Sequence, residues 1–326
     1  MKLYNEMSKT ILYCKILIVI GLLFSCSESS QEELVPEVEI RFGAAIADSR
    51  SLIEEPASMG RFSVWAWRKH QTATTKNQVF DEEVITYDAN ISSWTYEYPR
   101  TWHLNNTYNF YALYPDTITD ASYNENGKLT IPRLDIRQTD EYNHTKVVDL
   151  MKATQYVEVG MNPPEAVNLT FTHMLTNVNI DLKMHQANGE AGDVMEVTYV
   201  LLNGMNNVGS MQNDVWNLSE PSYFWDRLNT PKQLSVDAQP CFSNVLMIPQ
   251  TIAENQVMLY VLYSYQQEGG EPMTKLLETY LPAGEWKAGE KIVYTGTIQV
   301  DNSIVFDTPQ VESWGTEQVG GTIIIQ

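Results

Sequence analysis

Short runs of β-branched and aromatic residues, separated by turn residues, recur along most of this chain and leave few folds open to it. Runs that alternate between apolar and polar positions are typical of β-strands with one buried face. No segment after residue 25 keeps an apolar stripe at helical spacing for three turns. The sequence therefore predicts an all-β fold of antiparallel sandwiches. The predicted strands are Phe62–Trp67, Trp94–Tyr98, Tyr108–Tyr114, Val167–Phe171, Val178–Leu182, Val257–Tyr263 and Lys291–Val300.

Turn and boundary signals divide the chain further. Asn-Gly pairs tolerate the positive φ of tight turns, and we expect turns where they stand between apolar runs. Adjacent prolines cannot donate ladder hydrogen bonds, so we expect no sheet to continue unbroken through Pro163 and Pro164. The sequence thus predicts two tandem β-sandwich domains, residues 38–162 and 163–326. The Asn-Gly pairs are at 126–127, 188–189 and 203–204.

The first 25 residues have the layout of an export signal, with a positive n-region followed by an apolar h-region at residues 16–24. The apolar run is shorter than the roughly 20 residues that a permanent membrane helix needs. We therefore predict a signal peptide over residues 1–25. The n-region lysines are Lys2, Lys9 and Lys15.

The signal ends at a cysteine that is suited to lipidation. Ser25 is the small residue that a signal peptidase needs before its cut, and the thiolate of Cys26 can take a diacylglyceryl group. We predict a lipoprotein anchored to the outer membrane through Cys26; an ordinary secretory leader followed by a chance cysteine is the alternative. Residues 26–37 begin polar and acidic, resemble the tether of surface lipoproteins, and are predicted to form a disordered linker.

Composition excludes several classes of function. The net charge of −20 argues against nucleic-acid binding, because such a surface repels phosphates. Cys14 leaves with the leader and Cys26 takes the lipid, so Cys241 has no partner for a disulfide within the chain. The five histidines lack ligand spacing, and the sequence has no nucleophile elbow, phosphate loop or zinc-protease motif. We predict no metal, no cofactor and no enzymatic activity.

Several stretches, in order along the chain, resemble the Mfa-like fimbrillins, outer-surface lipoproteins that assemble into type V pili. They are Phe62–Trp67, Trp94–Tyr96, Pro99–Trp102, Tyr108–Ala112, Tyr114-Pro115, Asp149–Met151, Ala153, Leu169–Leu175, Ile248–Gln250, Trp286, Gly289, Tyr294-Thr295 and Val311–Trp314. The resemblance implies a two-domain pilin with transthyretin-like sandwiches. It also implies a protease cut after an arginine near the first strand, and a groove that a strand of a neighbouring subunit then fills.

The residues suggest which strand is removed. Residues 39–46 can form a strand with one apolar face, and its loss would expose an apolar trench and unpaired backbone groups. A donor strand would restore both, which is β-augmentation. We predict cleavage after Arg50, in a small polar stretch, with Arg41 as the second choice because it lies inside the strand. The apolar face consists of Ile40, Phe42, Ala44 and Ile46.

Two segments are candidates for the donor strand. One is Val311–Trp314; the other is the terminal stretch 319–326, with its β-prone isoleucines after a Gly-Gly hinge. Alternatively, the isoleucines pair as the last strand of their own sandwich, which would suit a tip or accessory subunit better than a repeating stalk subunit. The isoleucines are Ile323, Ile324 and Ile325.

The remaining conspicuous residues are one histidine and four tryptophans, and the sequence predicts that they lie in the core. His173 shares a strand face with Leu169 and Phe171, so we expect a buried, hydrogen-bonded histidine rather than a catalytic base. Four tryptophans are assigned to the core rather than to sugar stacking. They are Trp65, Trp67, Trp94 and Trp102.

Two functions follow as hypotheses. The first is a structural subunit of a surface fimbria that joins other pilin subunits by strand exchange and supports adhesion. The second is a tethered surface lipoprotein that does not polymerise and binds a host protein or glycan.

Overall fold

Strands dominate the computed structural model, which describes residues 37–46, 56–137 and 149–314. The predicted all-β class is confirmed, and each of the seven predicted strands overlaps an observed one. The first ten strands are β1 Phe42–Ile46, β2 Arg61–His70, β3 Asn77–Asp88, β4 Ser93–Thr95, β5 Asn106–Tyr114, β6 Ser122–Tyr123, β7 Leu129–Asp135, β8 Met151–Val159, β9 Val167–His173 and β10 Thr176–Met184. The others are β11 Val194–Gln212, β12 Val215–Gln233, β13 Gln239–Met247, β14 Gln250–Ile252, β15 Met258–Gln266, β16 Met273–Tyr280, β17 Gly284–Trp286, β18 Glu290–Ile298, β19 Ile304–Phe306 and β20 Gln310–Ser313.

Helical structure among the described residues is limited to a 3₁₀ turn at Pro56–Met59 and the short helix α1 at Gln186–Glu190. The imidazole of His185 caps α1 by accepting a hydrogen bond from the backbone N–H of Ala187. No helix within the described ranges is long and apolar enough to cross a membrane.

The first sheet has seven strands in the order β1-β9-β8-β5-β2-β3-β4. Its interior strand β2 is buried without interruption from Phe62 to Trp67, because both faces of the sheet are covered. On one face Phe62 packs against Trp94 and Phe171. On the other face Trp65 packs against Tyr123 of β6.

A second core lies between two further sheets. One sheet has the order β13-β10-β18-β19, with β20 also paired to β18; the other has the order β16-β15-β11-β7-β6, with β12 also paired to β11. Apolar side chains from β10, β13 and β18 meet those from β11, β15 and β16 between them. The small sheet β14-β17 adds Ile252 and Trp286 to this core.

The 19-residue strand β11 connects the two cores. At about 3.4 Å per residue it is roughly 60 Å long. Its first half places Val197, Val200 and Leu202 in the second core. Its far end pairs with β7 and places Met211 among the side chains that cover the first sheet. One continuous strand therefore takes part in both layers of packing.

Some expectations differ from the structure. Two strand pairs are parallel, β1 with β9 and β10 with β18, so the sheets are mixed rather than purely antiparallel. The predicted domain boundary at residues 162 and 163 falls between β8 and β9, which are neighbours in the first sheet. Strand β7 likewise lies before the boundary yet pairs with β11 after it. The separate folding of residues 38–162 and 163–326 stays a prediction.

One of the three Asn-Gly turns is present, at Gly127 between β6 and β7, where φ is +75°. The other two predictions were wrong. Asn188-Gly189 lies within α1, and Gly204 lies inside β11, where the register with β12 shifts. Gly204 has a φ of +103°, so it supplies the unusual backbone of a bulge rather than a reversal of the chain.

Gly204→Ala is expected to destabilise the protein by about 1–3 kcal/mol, because a Cβ is strained at positive φ. That Cβ would also lie 2.3 Å from the carbonyl oxygen of Gln256. Urea unfolding monitored by circular dichroism measures the effect. Gly160→Ala is the matched control, since its Cβ meets no atom within 4 Å. Equal unfolding midpoints for the two variants would contradict the strain at Gly204.

Candidate functional site

The first strand occupies one edge of the first sheet and is held there by a full ladder. β1 runs parallel to β9, with Phe42 opposite Val167 and Ile46 opposite Phe171. The ladder begins where the backbone N–H of Val167 donates to the carbonyl of Arg41 over 2.7 Å. Every residue of this strand therefore has a partner position on β9.

The residues just before β1 are bonded on the opposite side, to the segment that follows β4. The N–H of Ile40 donates to the carbonyl of Arg100 over 2.8 Å, and Glu39 forms an antiparallel bridge with Thr101. The hydroxyl of Tyr96 donates to the carbonyl of Ile40 over 2.6 Å. Strands β1 and β4 are the two edge strands of the first sheet, so residues 39–46 connect one edge of that sheet to the other.

The side chains of this segment fill an apolar slot between those edges. Ile40 is fully buried and Phe42 is 5% exposed. The ring of Phe42 packs edge-on against Phe80, Tyr96 and Phe110, with ring centroids 5.5–6.0 Å apart. Edge-to-face contacts of this kind add to the energy of burial. Of the four predicted apolar residues, Ala44 and Ile46 are half-buried and lie nearer the rim of the slot.

Polar groups brace the wall of the slot. Arg100 pairs with Glu83 at 3.0 Å, and its guanidinium lies 4.7 Å above the ring of Phe80. The hydroxyl of Tyr96 also accepts from the N–H of Arg100. Burial raises the pKa of the Tyr96 phenol, so this group stays protonated and keeps its hydrogen bond to Ile40. The Arg100–Glu83 ion pair and the contact of Arg100 with Phe80 involve no residue of the segment 39–46.

Strand β9 depends on β1 for most of its pairing. Its register with β8 covers His173 and Thr172 at one end of the strand. Its register with β1 covers the five positions from Val167 to Phe171. Loss of β1 would leave most of this edge of the sheet without ladder hydrogen bonds, which is the condition that favours addition of another strand.

The last described residue of the chain also rests on β9. The indole of Trp314 is 1% exposed and stacks on the imidazole of His173, with ring centroids 3.9 Å apart and an angle of 20°. The backbone N–H of Trp314 donates to the carbonyl of Gly289 over 2.7 Å. All four residues of β20 before it are exposed. Trp314 is therefore the buried anchor of an otherwise superficial strand.

Below this indole is a buried acid–histidine pair. Nδ1 of His173 lies 2.8 Å from Oδ2 of Asp149, although the approach lacks hydrogen-bond geometry. Burial raises the pKa of the Asp149 carboxyl, and the imidazole opposes this shift. His173 is buried as expected from the sequence, but the expected hydrogen bond is not formed by either ring nitrogen. Both side chains are at most 3% exposed, and the imidazole stacks on the indole of Trp314.

The remaining predicted site residues are distributed as follows. Arg41 is exposed at the start of the ladder, 4.0 Å from Glu39. Val311 lies in β20 and pairs with Ile292 of the same chain. Cys26, Arg50 and the terminal Ile323, Ile324 and Ile325 lie outside the described residues. The four core tryptophans are at most 9% exposed, which confirms their assignment to the interior.

Sequence reasoning missed the wall of the slot. Tyr96 and Arg100 stand in an irregular segment after β4, and no local pattern links them to residues 39–42. The parallel partner β9 was predicted as a strand, but its pairing with β1 spans more than 120 residues of sequence. Within the described part of the chain, no three His, Cys, Asp or Glu side chains gather as a metal site.

The family model for fimbrillin-like proteins matches residues 57–314. This chain belongs to the fimbrillin-like family. The match extends from the 3₁₀ turn after β1 to Trp314, so it includes the slot, strand β9 and the second core. Membership supports a fimbrial or adhesion-type subunit at the cell surface.

Solved structures show the same fimbrillin-like fold. A fimbrial protein from Bacteroides vulgatus aligns with a TM-score of 0.65 and 19% identity, covering 84% of this chain and 99% of that one. A candidate cell adhesion protein from Bacteroides ovatus aligns with a TM-score of 0.51 and 16% identity, covering 86% of this chain and 99% of that one. No curated protein matches the sequence.

Phe42→Ala is expected to lower the free energy of unfolding by about 3–5 kcal/mol, because it removes a buried ring from the slot. Chemical denaturation measures the change. Tyr98→Ala is the control, since that ring is 63% exposed in the segment beside the slot. A loss below 1 kcal/mol for Phe42→Ala would show that the slot does not hold β1.

Trp314→Ala is expected to release β20, because this indole is the buried contact of an otherwise exposed segment. Hydrogen exchange at residues 310–313 should become faster, while exchange in β5 stays slow. Val311→Ala is the control, because its side chain is 54% exposed. Unchanged protection of β20 in the Trp314 variant would contradict the role of the indole as an anchor.

Proposed function

We propose that this chain is a structural subunit of a type V surface fimbria, exported as a lipoprotein, cut after Arg50 and joined to its neighbours by strand exchange. The observation that carries the proposal is the way in which β1 and the residues before it are bound to the first sheet. The short segment 39–46 joins both edges of the first sheet and fills an apolar slot, and one wall of that slot carries the Arg100–Glu83 ion pair. Such a strand can be exchanged for another of similar pattern.

The slot defines what a donor strand must supply. Its backbone must pair with Val167–Phe171, as β1 does now. It must also carry large apolar side chains two residues apart, in the places of Ile40 and Phe42. Burial of each such side chain contributes about 1.5–3 kcal/mol, so a few of them give a stable joint without a disulfide.

The position of Trp314 supports a link between the two ends of the chain. β1 pairs with β9 as far as Phe171, and Trp314 stacks on His173, two residues further along the same strand. Removing β1 deprives β9 of most of its ladder, so it also weakens the seat of Trp314. In this proposal, trimming opens the slot and loosens the C-terminal strand in one event.

Both C-terminal segments remain candidates for the donor. As a donor, the segment Val311–Trp314 would have to leave β18, and its exposed strand residues make that separation easier. The segment 319–326 carries the apolar residues Ile323 and Ile325 at the spacing that the slot requires. The partners are other pilin subunits, and the chain has no catalytic step to perform.

Anchoring completes the proposal. The lipid on Cys26 would hold the newly exported subunit at the outer membrane until cleavage after Arg50 removes the lipid and β1 together. The leader layout and the length of the acidic segment 26–37 support this order of events. A host protein or glycan would be the target of the assembled fimbria.

Limited trypsin digestion of the full chain tests the cut. We expect a product that begins at Ser51 and forms heat-stable oligomers on gels run in detergent. Arg50→Gln should abolish both, whereas the control Arg41→Gln should leave both unchanged. A trimmed product that stays monomeric at all concentrations, or a cell-surface protein that still begins at Cys26, would favour the non-polymerising lipoprotein.

Peptide complementation identifies the donor. Trimmed protein is mixed with a synthetic peptide of residues 308–315 or of residues 319–326, and thermal stability is followed. The true donor should raise the melting temperature and block oligomerisation. A peptide with both Ile323 and Ile325 changed to Asp is the control for the second. Stabilisation by neither peptide would contradict strand exchange through the C-terminus.

A further inference from the structure

The third sheet has the strand order β16-β15-β11-β7-β6, with β12 paired to β11. It carries several aromatic rings on the face turned away from the second core. Along β11, β12, β15 and β16, one set of alternate side chains points into the second core and the other set points outward. The inward set consists of aliphatic and methionine side chains together with Phe224 of β12 and Tyr263 and Tyr265 of β15. The outward aromatic residues are Tyr199, Tyr223, Trp225, Tyr260 and Tyr280.

Strand register arranges these residues as rows across the sheet. Leu201 pairs with Trp225 on one side and with Tyr260 on the other, so the two rings are separated by two strand spacings, about 10 Å. Tyr199 and Trp225 lie with ring centroids 5.6 Å apart at 36°. The apolar side chain of Leu201 forms the floor between the two rings.

The rows enclose a shallow cleft of about 400 Å³. Asn203 supplies a side-chain amide at its edge, and the tyrosines supply hydroxyl groups. None of the lining residues is charged. The cleft is lined by Tyr199, Leu201, Asn203, Tyr223, Tyr260 and Leu276.

We propose that this aromatic cleft binds a neutral oligosaccharide. Flat rings can stack on the apolar C–H faces of sugar rings, while hydroxyl and amide groups at the rim hydrogen-bond the sugar hydroxyls. Tyr223 and Tyr260 both line the cleft and supply such rings. This function goes beyond the structural role of a fimbrial subunit and stands whether or not the chain polymerises.

Charge and geometry favour this occupant over others. An anionic ligand would meet a protein of net charge −20 in a cleft that has no lining cation. A peptide cannot add to the sheet at the centre of the cleft, because β11 and β15 are paired on both sides. A second copy of the chain would need roughly 20–30 contacting residues on each side, far more than the cleft offers.

The site is separate from the slot of β1. Its residues lie on β11, β12, β15 and β16, and the slot is formed by the first sheet and the segment after β4. The core tryptophans of the first sheet are buried and take no part in it. Substitutions on the exposed face of the third sheet therefore test binding without disturbing β1.

Isothermal titration of the full chain with maltoheptaose, cellohexaose and mannohexaose tests the proposal, with a heparin hexasaccharide as the anionic probe. We expect at least one neutral sugar to bind and heparin not to bind. Tyr223→Ser and Tyr260→Ser, both in residues that line the cleft, should each weaken the binding by about tenfold or more. Circular dichroism and the melting temperature show that each variant remains folded.

Tyr156→Ser is the matched control. Tyr156 is 56% exposed on β8 of the first sheet, close to the 53% of Tyr223 in the cleft, and its loss should leave sugar binding unchanged. The proposal is overturned if none of the three neutral sugars binds, if the cleft variants bind as well as the parent, or if heparin binds more tightly. Sedimentation velocity adds one outcome: dimerisation that the cleft variants abolish would assign the face to a second copy of the chain.

Discussion

The packing of Phe42 between Phe80, Tyr96 and Phe110 is the contact on which the organisation of the first sheet depends. This ring lies where the two edges of the sheet approach each other, and the backbone beside it is hydrogen-bonded to both. A five-residue strand thus completes a sheet of seven. Because this strand lies near one end of the chain and belongs to no hairpin, removing it leaves all other connections intact.

Strand β9 contacts both β1 and Trp314, so it connects the first strand to the last described residue. It receives the ladder of β1 along most of its length and presents His173 to Trp314 just beyond. The two ends of the described chain therefore share one strand. The proposed release of the C-terminal strand after loss of β1 depends on this shared strand.

The sequence predicted where the strands lie better than it predicted which strands pair with each other. Alternation and β-branched residues located β2, β5, β9, β10, β15 and β18, because these patterns reflect local burial. The apolar residues Ile40 and Phe42 were identified for the same reason. The parallel partner of β1, the wall formed by Tyr96 and Arg100, and the bulge at Gly204 were not, since each is defined by atoms distant in sequence.

The sequence by itself determined the class of fold and the apolar pattern of the first strand. It did so because composition and period decide which surfaces must be buried. Only the tertiary structure decided which strand each one meets and which aromatic rings remain outside. Trp65 and Tyr223 are both aromatic residues on β-strands, yet Trp65 is covered by a second layer whereas Tyr223 is 53% exposed. Long-range packing makes that distinction, and no local pattern contains it.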